Sequence, residues 1–277
     1  MFRNILVHLP SERPVRPVVD LAIALSAARR SHLDAVAAGY ESMGSIGMVA
    51  EGGGAAVAAV MGDQQERALE RANAAISVFE IEAKLAKIAY GVRSFAAVPA
   101  EAGQTIATLA RLYDMTIVLQ PDSSNASYDN YIPHEILFNS GGPMLMVPYI
   151  QKGPLDAQHV GIAWDGSRLA ARAWRDALPF LMGAKAVTVI AVNEEASEAS
   201  SDRLVSHLTR RGIAARVQRL TTERGNVQGA ILSVAAESNM GLLVMGGYGH
   251  SRLHERILGG VTRSMFESMT VPVLMSH

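Results

Sequence analysis

With 277 residues the chain has room for one large domain or two ordinary ones, and 49% hydrophobic against 18% charged residues exclude a disordered polymer. A formal net charge of −1 excludes a general electrostatic pull toward nucleic acid or an anionic membrane. The absence of cysteine excludes disulfides and thiolate chemistry and fits a reducing compartment.

The apolar run Asn4 to Leu9 reads as a strand, with no signal-peptide pattern ahead of it. A helix is expected over 15–30, with Pro14 and Pro17 near its first turn, and a strand over 33–40. The stretch from Glu41 to Met61 is rich in Gly and Ala and is broken by Glu51-Gly52-Gly53-Gly54, so it reads as a surface flap or lid and not as a membrane span. After it come a long helix from about 63 to 88, a strand over 95–98, a helix over 103–113 and a strand over 115–119. The polar run from Asp122 to Asn130 is expected to be a loop, followed by a short helix near 134–138 and a strand over 144–147. Beyond the polar, helix-breaking Gln151-Lys152-Gly153-Pro154, strands are expected at 160–164, 186–192, 215–220, 242–245 and 273–275. Helices fall near 169–181, 202–211, 227–237 and 261–268.

The two parts resemble each other. Asn4 to Pro10 aligns with His159 to Asp165, Met115 to Leu119 with Gly241 to Met245, and Pro143 to Val147 with Pro272 to Ser276. The sequence therefore divides into two copies, 1–150 and 151–277. Short apolar strands alternating with helices point to the α/β class, with two tandem doubly wound parallel-sheet domains of Rossmann-like form. Ligands of such folds sit beyond the carboxyl ends of the strands, where the strand order reverses.

In the second copy the strand 242–245 empties into Gly246-Gly247-Tyr248-Gly249, and after nine more residues comes Gly259-Gly260-Val261-Thr262. Glycine admits close approach of a ligand to the backbone, and a helix N-terminus with free N–H groups suits a phosphate. This spacing resembles the nucleotide motif of the universal stress proteins. Gly161 to Ser167 looks like the first strand of that family, and Thr270 to Met275 looks like its last. The resemblance implies a fold akin to the adenine nucleotide alpha hydrolases and an adenine nucleotide (ATP, ADP or AMP), with Mg²⁺ as an optional companion. It also implies roles. Asp165 would accept hydrogen bonds from ribose or adenine, Ala163 and Val192 would bring main chain to the base, and Met245 would pack beneath it. Gly246 and Gly249 would frame the phosphates, with N–H groups and a hydroxyl from Gly259, Gly260, Val261 and Thr262. One position departs from the family: Gly260 stands where it usually has Ser or Thr. That removes a hydroxyl worth about 1.5–3 kcal/mol against a charged phosphate, unless Thr262 replaces it.

The first copy lacks the motif. Gln120 and Ser123 stand in place of Gly246 and Gly249, and Pro10 in place of Asp165. It reads as a structural partner without nucleotide, leaving one site per chain. Each candidate has a plainer reading as well: the glycines as turns, Asp165-Gly166-Ser167 as a helix cap, Val192 and Met245 as core. His250 and His254 are four apart, but with no third or fourth ligand indicated they do not make a zinc site. Arg252 and Arg256 are solvated charges or counter-ions to phosphate.

No phosphate loop of the Gly-x-x-x-x-Gly-Lys type, no Gly-x-Ser-x-Gly elbow and no His-Glu-x-x-His occurs, and no pair of residues presents itself as base and nucleophile. The expected protein is a cytoplasmic ATP-binding regulator of the stress response and not a dedicated enzyme, with slow ATP hydrolysis as the upper limit. Its partners are an adenine nucleotide and its own other half, with a homodimer left open, and neither nucleic acid nor membrane. Two alternatives stand beside this: a dimerising scaffold without nucleotide, and a nucleotide-activating enzyme of the same superfamily. The latter's relatives use a Ser-Gly-Gly loop after the first strand, where this chain has Asp165-Gly166-Ser167.

Overall fold

The computed structural model describes residues 2–41, 54–247 and 265–277. The first half runs β1 (Asn4–His8), α1 (Arg16–Arg29), β2 (His32–Tyr40), α2 (Gly54–Ala86), β3 (Tyr90–Ala97), α3 (Pro99–Ala110) and β4 (Met115–Leu119). A 3-10 turn (Tyr128–Tyr131), α4 (Ile132–Asn139) and β5 (Met144–Val147) complete it. The second half runs β6 (His159–Ala163), α5 (Arg168–Asp176), α6 (Leu178–Leu181), β7 (Ala186–Val192), α7 (Ser201–Thr209) and β8 (Ala215–Leu220). It closes with α8 (Val227–Glu237), β9 (Leu242–Gly246) and β10 (Val273–Ser276).

Among the described residues ten strands form one sheet, ordered β3-β2-β1-β4-β5-β10-β9-β6-β7-β8. Each half is parallel within itself, and the halves meet where β5 and β10 pair antiparallel, Leu274 opposite Leu145 and Met275 opposite Met144. The pairing of β5 with the last strand is thus what joins the copies. An apolar edge strand with free N–H and C=O groups invites such a partner, and here the partner is in the same chain. The strand order reads 3-2-1-4-5 outward to inward in both halves, so the two are related by a pseudo-two-fold axis at the Leu145–Leu274 pair.

Period-2 alternation along the strands sends Ile5 and Val7 into one core and Leu6 into the other, on opposite faces of the sheet. Helices α1, α2, α5, α6 and α7 cover the first face, and α3, α4, α8 and the last helical turn cover the second. Both cores run through both halves. Further contacts cross the axis: Arg29 donates to the Pro179 carbonyl at 2.8 Å and the rings of Phe2 and Phe180 lie 5.2 Å apart.

Several boundaries differ from expectation. Helix α2 begins at Gly54, so 54–61 are helix and not flap, while 42–53 lie outside the described residues. Strand β3 begins at Tyr90, because an edge strand covered on one side keeps exposed residues such as Arg93 and shows no continuous apolar run. Helix α3 starts at Pro99, the residue whose fixed φ suits a first turn. The helix expected over 169–181 is two, α5 and α6, with Pro179 in the opening turn of the second. The loop 122–130 ends in the 3-10 turn.

One close approach in the first half seats α2 against the sheet. A Cβ on Gly39 of β2 would stand 1.8 Å from the Ala68 carbonyl oxygen of α2, so only glycine lets this helix lie on the strand. Arg71, one turn further along α2, then reaches the Tyr40 carbonyl at 2.9 Å.

Candidate functional site

In the second half, strands β9, β6 and β7 are parallel neighbours, so their carboxyl ends open on the same edge of the sheet. The chain leaves β6 for β7 on one side and returns to β9 on the other, which makes the gap between β6 and β9 the point where strand order reverses. Ala163, Asp165, Val192, Met245 and Gly246 all sit at these strand ends. Ala163 and Val192 are half-buried, Met245 is buried and Asp165 is exposed. The structure therefore brings together five of the ten residues named from sequence. The other five, Gly249, Gly259, Gly260, Val261 and Thr262, lie outside the described residues, as do His250, Arg252, His254 and Arg256.

Asp165 folds back on its own turn. Its Oδ1 accepts the Ser167 N–H at 2.9 Å, and Ser167 Oγ accepts the Ala170 N–H at 3.1 Å as the N-cap of α5. The capping role expected of this segment is thus present. On the far side, Asn193 closes the end of β7 to Thr222 with paired bonds of 2.8 and 2.9 Å. Burial would raise the Glu194 carboxyl, but donors from Ser201 and Arg219 hold it below the usual carboxylate range.

Gly246 has a packing reason to be glycine. A Cβ there would stand 2.6 Å from the Ala170 backbone nitrogen, so the end of β9 lies directly on the first turn of α5. Gly247 is buried against the other half, where a Cβ would meet the Leu137 side chain at 2.9 Å. Its N–H is taken by the Ser276 carbonyl at 2.9 Å.

The corresponding strand ends of the first half are built differently. The loop after β1 carries Pro10, which offers no carboxylate to the N–H groups beyond it. Asp129, from the 3-10 turn, supplies one instead, accepting from Glu12 N–H at 2.9 Å, Ser11 N–H at 3.4 Å and the Tyr40 hydroxyl at 2.8 Å. Burial pushes the Asp129 carboxyl up from its ordinary range against the effect of these donors. His8 Nε2 lies 3.8 Å from Asp129 Oδ1 without a hydrogen bond, and complete burial lowers the imidazole to about 3, so the ring is neutral.

Beside this cluster, buried Arg13 donates to the Gln120 carbonyl at 2.6 Å and to Asn130 Oδ1 at 3.1 Å. Gln120 itself is fully buried and reaches across the axis, its Nε2 donating to the Phe266 carbonyl at 2.9 Å. The sequence alone singles out none of Asp129, Arg13, His8 and Tyr40. Its one signal is the dense polar run 122–130, which has no periodicity to show where its side chains point.

Residues 157–277 match the family model described as the universal stress protein family. Solved structures resemble the chain over nearly its full length. A universal stress protein from Archaeoglobus fulgidus DSM 4304 matches with a TM-score of 0.69 at 16% identity, covering 98% of this chain and 95% of its own. A candidate universal stress protein from Pseudomonas aeruginosa UCBPP-PA14 matches with a TM-score of 0.61 at 14% identity, covering 99% and 93%. A functionally unknown protein from Pseudomonas aeruginosa PAO1 gives 0.59 at 14% identity, covering 99% and 92%. No curated protein matches the sequence.

Proposed function

Because residues 157–277 match the universal stress protein family model, we propose that the chain binds one adenine nucleotide, ATP or its di- or monophosphate, at the strand ends of this second half. The single observation that carries the reading is placement: Ala163, Asp165, Val192 and Met245 lie at the carboxyl ends of three neighbouring parallel strands that include the strand-order reversal, where an α/β sheet accepts ligands. Asp165 would hold the ribose or base, with the main chain of Ala163 and Val192 along the base edge. The phosphates would fall to Gly249 and to Gly259 through Thr262, with Mg²⁺ as their optional companion. The chemistry at these strand ends suits a nucleoside, pairing an acceptor with half-buried apolar walls.

The corresponding role is regulation in a stress response, nucleotide occupancy being the state that partners read, with at most slow ATP hydrolysis. The first half would serve without nucleotide, since Asp129 already fills the loop that Asp165 heads in the other copy. Calorimetric titration with ATP should give one site per chain, and denaturing the purified protein should release a species with the mass and ultraviolet spectrum of an adenine nucleotide. Two equivalent sites, or no binding, would overturn the reading.

A second reading rests on its own observation. Gly246 and Gly247 are both accounted for by packing, on Ala170 and on Leu137, which is what a scaffold without nucleotide would need from them. ATP titration separates the two readings directly.

A further inference from the structure

The first half holds a cleft of about 1130 Å³ at its strand ends, between the loop after β1 and the connection from β4 to α4. Nothing in the nucleotide reading uses it. Its chemistry differs from that of a phosphate site in three respects.

First, aromatic surface lines it. Tyr128 is 41% and Tyr131 65% exposed at its wall, and the Tyr128 ring lies 5.5 Å from that of buried Tyr40, tilted by 50°. Tyrosines left open at a cleft offer flat apolar faces with polar tips, which is the complement of a ring with one apolar face and polar edges. Second, donors and acceptors are mixed. Glu12 presents an exposed carboxylate whose Oε2 accepts from Ser127 Oγ at 3.0 Å and Tyr128 N–H at 2.9 Å, so its place is fixed. Arg71 approaches from α2, held by the Tyr40 carbonyl, and Arg13 stands at the back, held by Gln120 and Asn130. Third, the signs of charge oppose one another. A phosphate would face Glu12, with Asp129 behind the wall, and an ammonium would face Arg13 and Arg71. A hydroxyl satisfies both, donating to the carboxylate and accepting from the guanidinium.

We infer that this cleft binds a short, uncharged saccharide, its pyranose faces on Tyr128 and Tyr131 and its hydroxyls on Glu12 and Arg71. The space exceeds what a drug-sized ligand fills, which favours several linked rings over one. The inference stands apart from the nucleotide reading, since it uses no residue of the second half.

The test is saturation-transfer NMR of the full chain with maltotriose, cellotriose, xylotriose, mannotriose and chitotriose, with adenosine as a separate arm. At least one trisaccharide should bind with a dissociation constant below about 1 mM. Glu12→Gln and Tyr128→Ala should each weaken it by about tenfold or more, Tyr128→Phe by much less, and Asp165→Asn not at all. Circular-dichroism melts of each variant identify any that fails to fold, and the milder Glu12→Gln and Tyr128→Phe keep the comparison available. Absence of binding by all five, or binding indifferent to both Glu12→Gln and Tyr128→Ala, overturns the inference. So does adenosine alone binding in a Glu12-dependent manner, which would make the cleft a nucleoside site.

Discussion

The side chain of Gln120 ties the two halves together at depth: from the end of β4 it donates to the Phe266 carbonyl at 2.9 Å, and its Oε1 accepts the Tyr149 N–H at 3.3 Å. Its own carbonyl meanwhile holds Arg13 at 2.6 Å. Phe266 lies in the last helical turn, just beyond the residues expected to frame phosphate. One buried amide therefore links the wall of the first-half cleft to the last helical turn of the second half.

Replacing Gln120 by Ala should cost about 1–3 kcal/mol for each buried group it leaves unmet. Urea unfolding should show a lower midpoint. If the nucleotide site lies where proposed, ATP affinity should fall as well, although Gln120 is not among the residues proposed to bind it.

Gly246→Ala should destabilise the fold by about 1–3 kcal/mol, since the added methyl meets the backbone of Ala170 and Leu169, which cannot move aside as a side chain can. Gly249→Val should instead abolish the stabilisation that ATP gives. Thermal unfolding of each variant with and without ATP separates packing from binding.

His8 sets a pH dependence. Its imidazole is lowered to about 3 by burial, whereas an unfolded histidine titrates near 6.5. Between those values the unfolded chain binds a proton that the fold refuses, so stability should fall as pH drops below about 6.5, by up to about 1.4 kcal/mol per pH unit. Asp129 acts in the opposite sense, because its raised carboxyl loses stability as pH rises from its unfolded value toward its folded one. His8→Leu should flatten the acid limb, read as the slope of melting temperature between pH 7.5 and 5.

Cutting the backbone within 151–154 should leave the halves associated in size-exclusion chromatography. The β5–β10 ladder, both shared cores and the Gln120 bond all survive the cut. Clean separation into two folded monomers would show that the ladder is weaker than its burial suggests.

Much of the fold is legible in the sequence, for reasons that the exceptions make plain. Buried parallel strands such as Leu242–Gly246 announce themselves as unbroken apolar runs, and the repeat tells which strands correspond. Strand β3 does not, because at the sheet edge Arg93 and Ser94 interrupt the pattern. The start of α2 is hidden by glycine and alanine, whose composition fits a flap as well as a helix. At the sites, the strand-end residues of the second half are named only by the resemblance to the universal stress proteins. The Arg13–Gln120–Phe266 connection is not legible, since its members are 107 and 146 residues apart in sequence and no local rule brings them together.

The antiparallel ladder at Leu145 and Leu274 has an evolutionary consequence. In a dimer of identical subunits any change at one site is imposed on both, and an altered surface must still fit its own copy. Here the two partners are encoded separately and meet at a fixed one-to-one ratio whatever the dilution. Proline at position 10 and aspartate at 129 could arise in one copy while Asp165 stayed in the other. Held in one chain, neither half needs to match its twin.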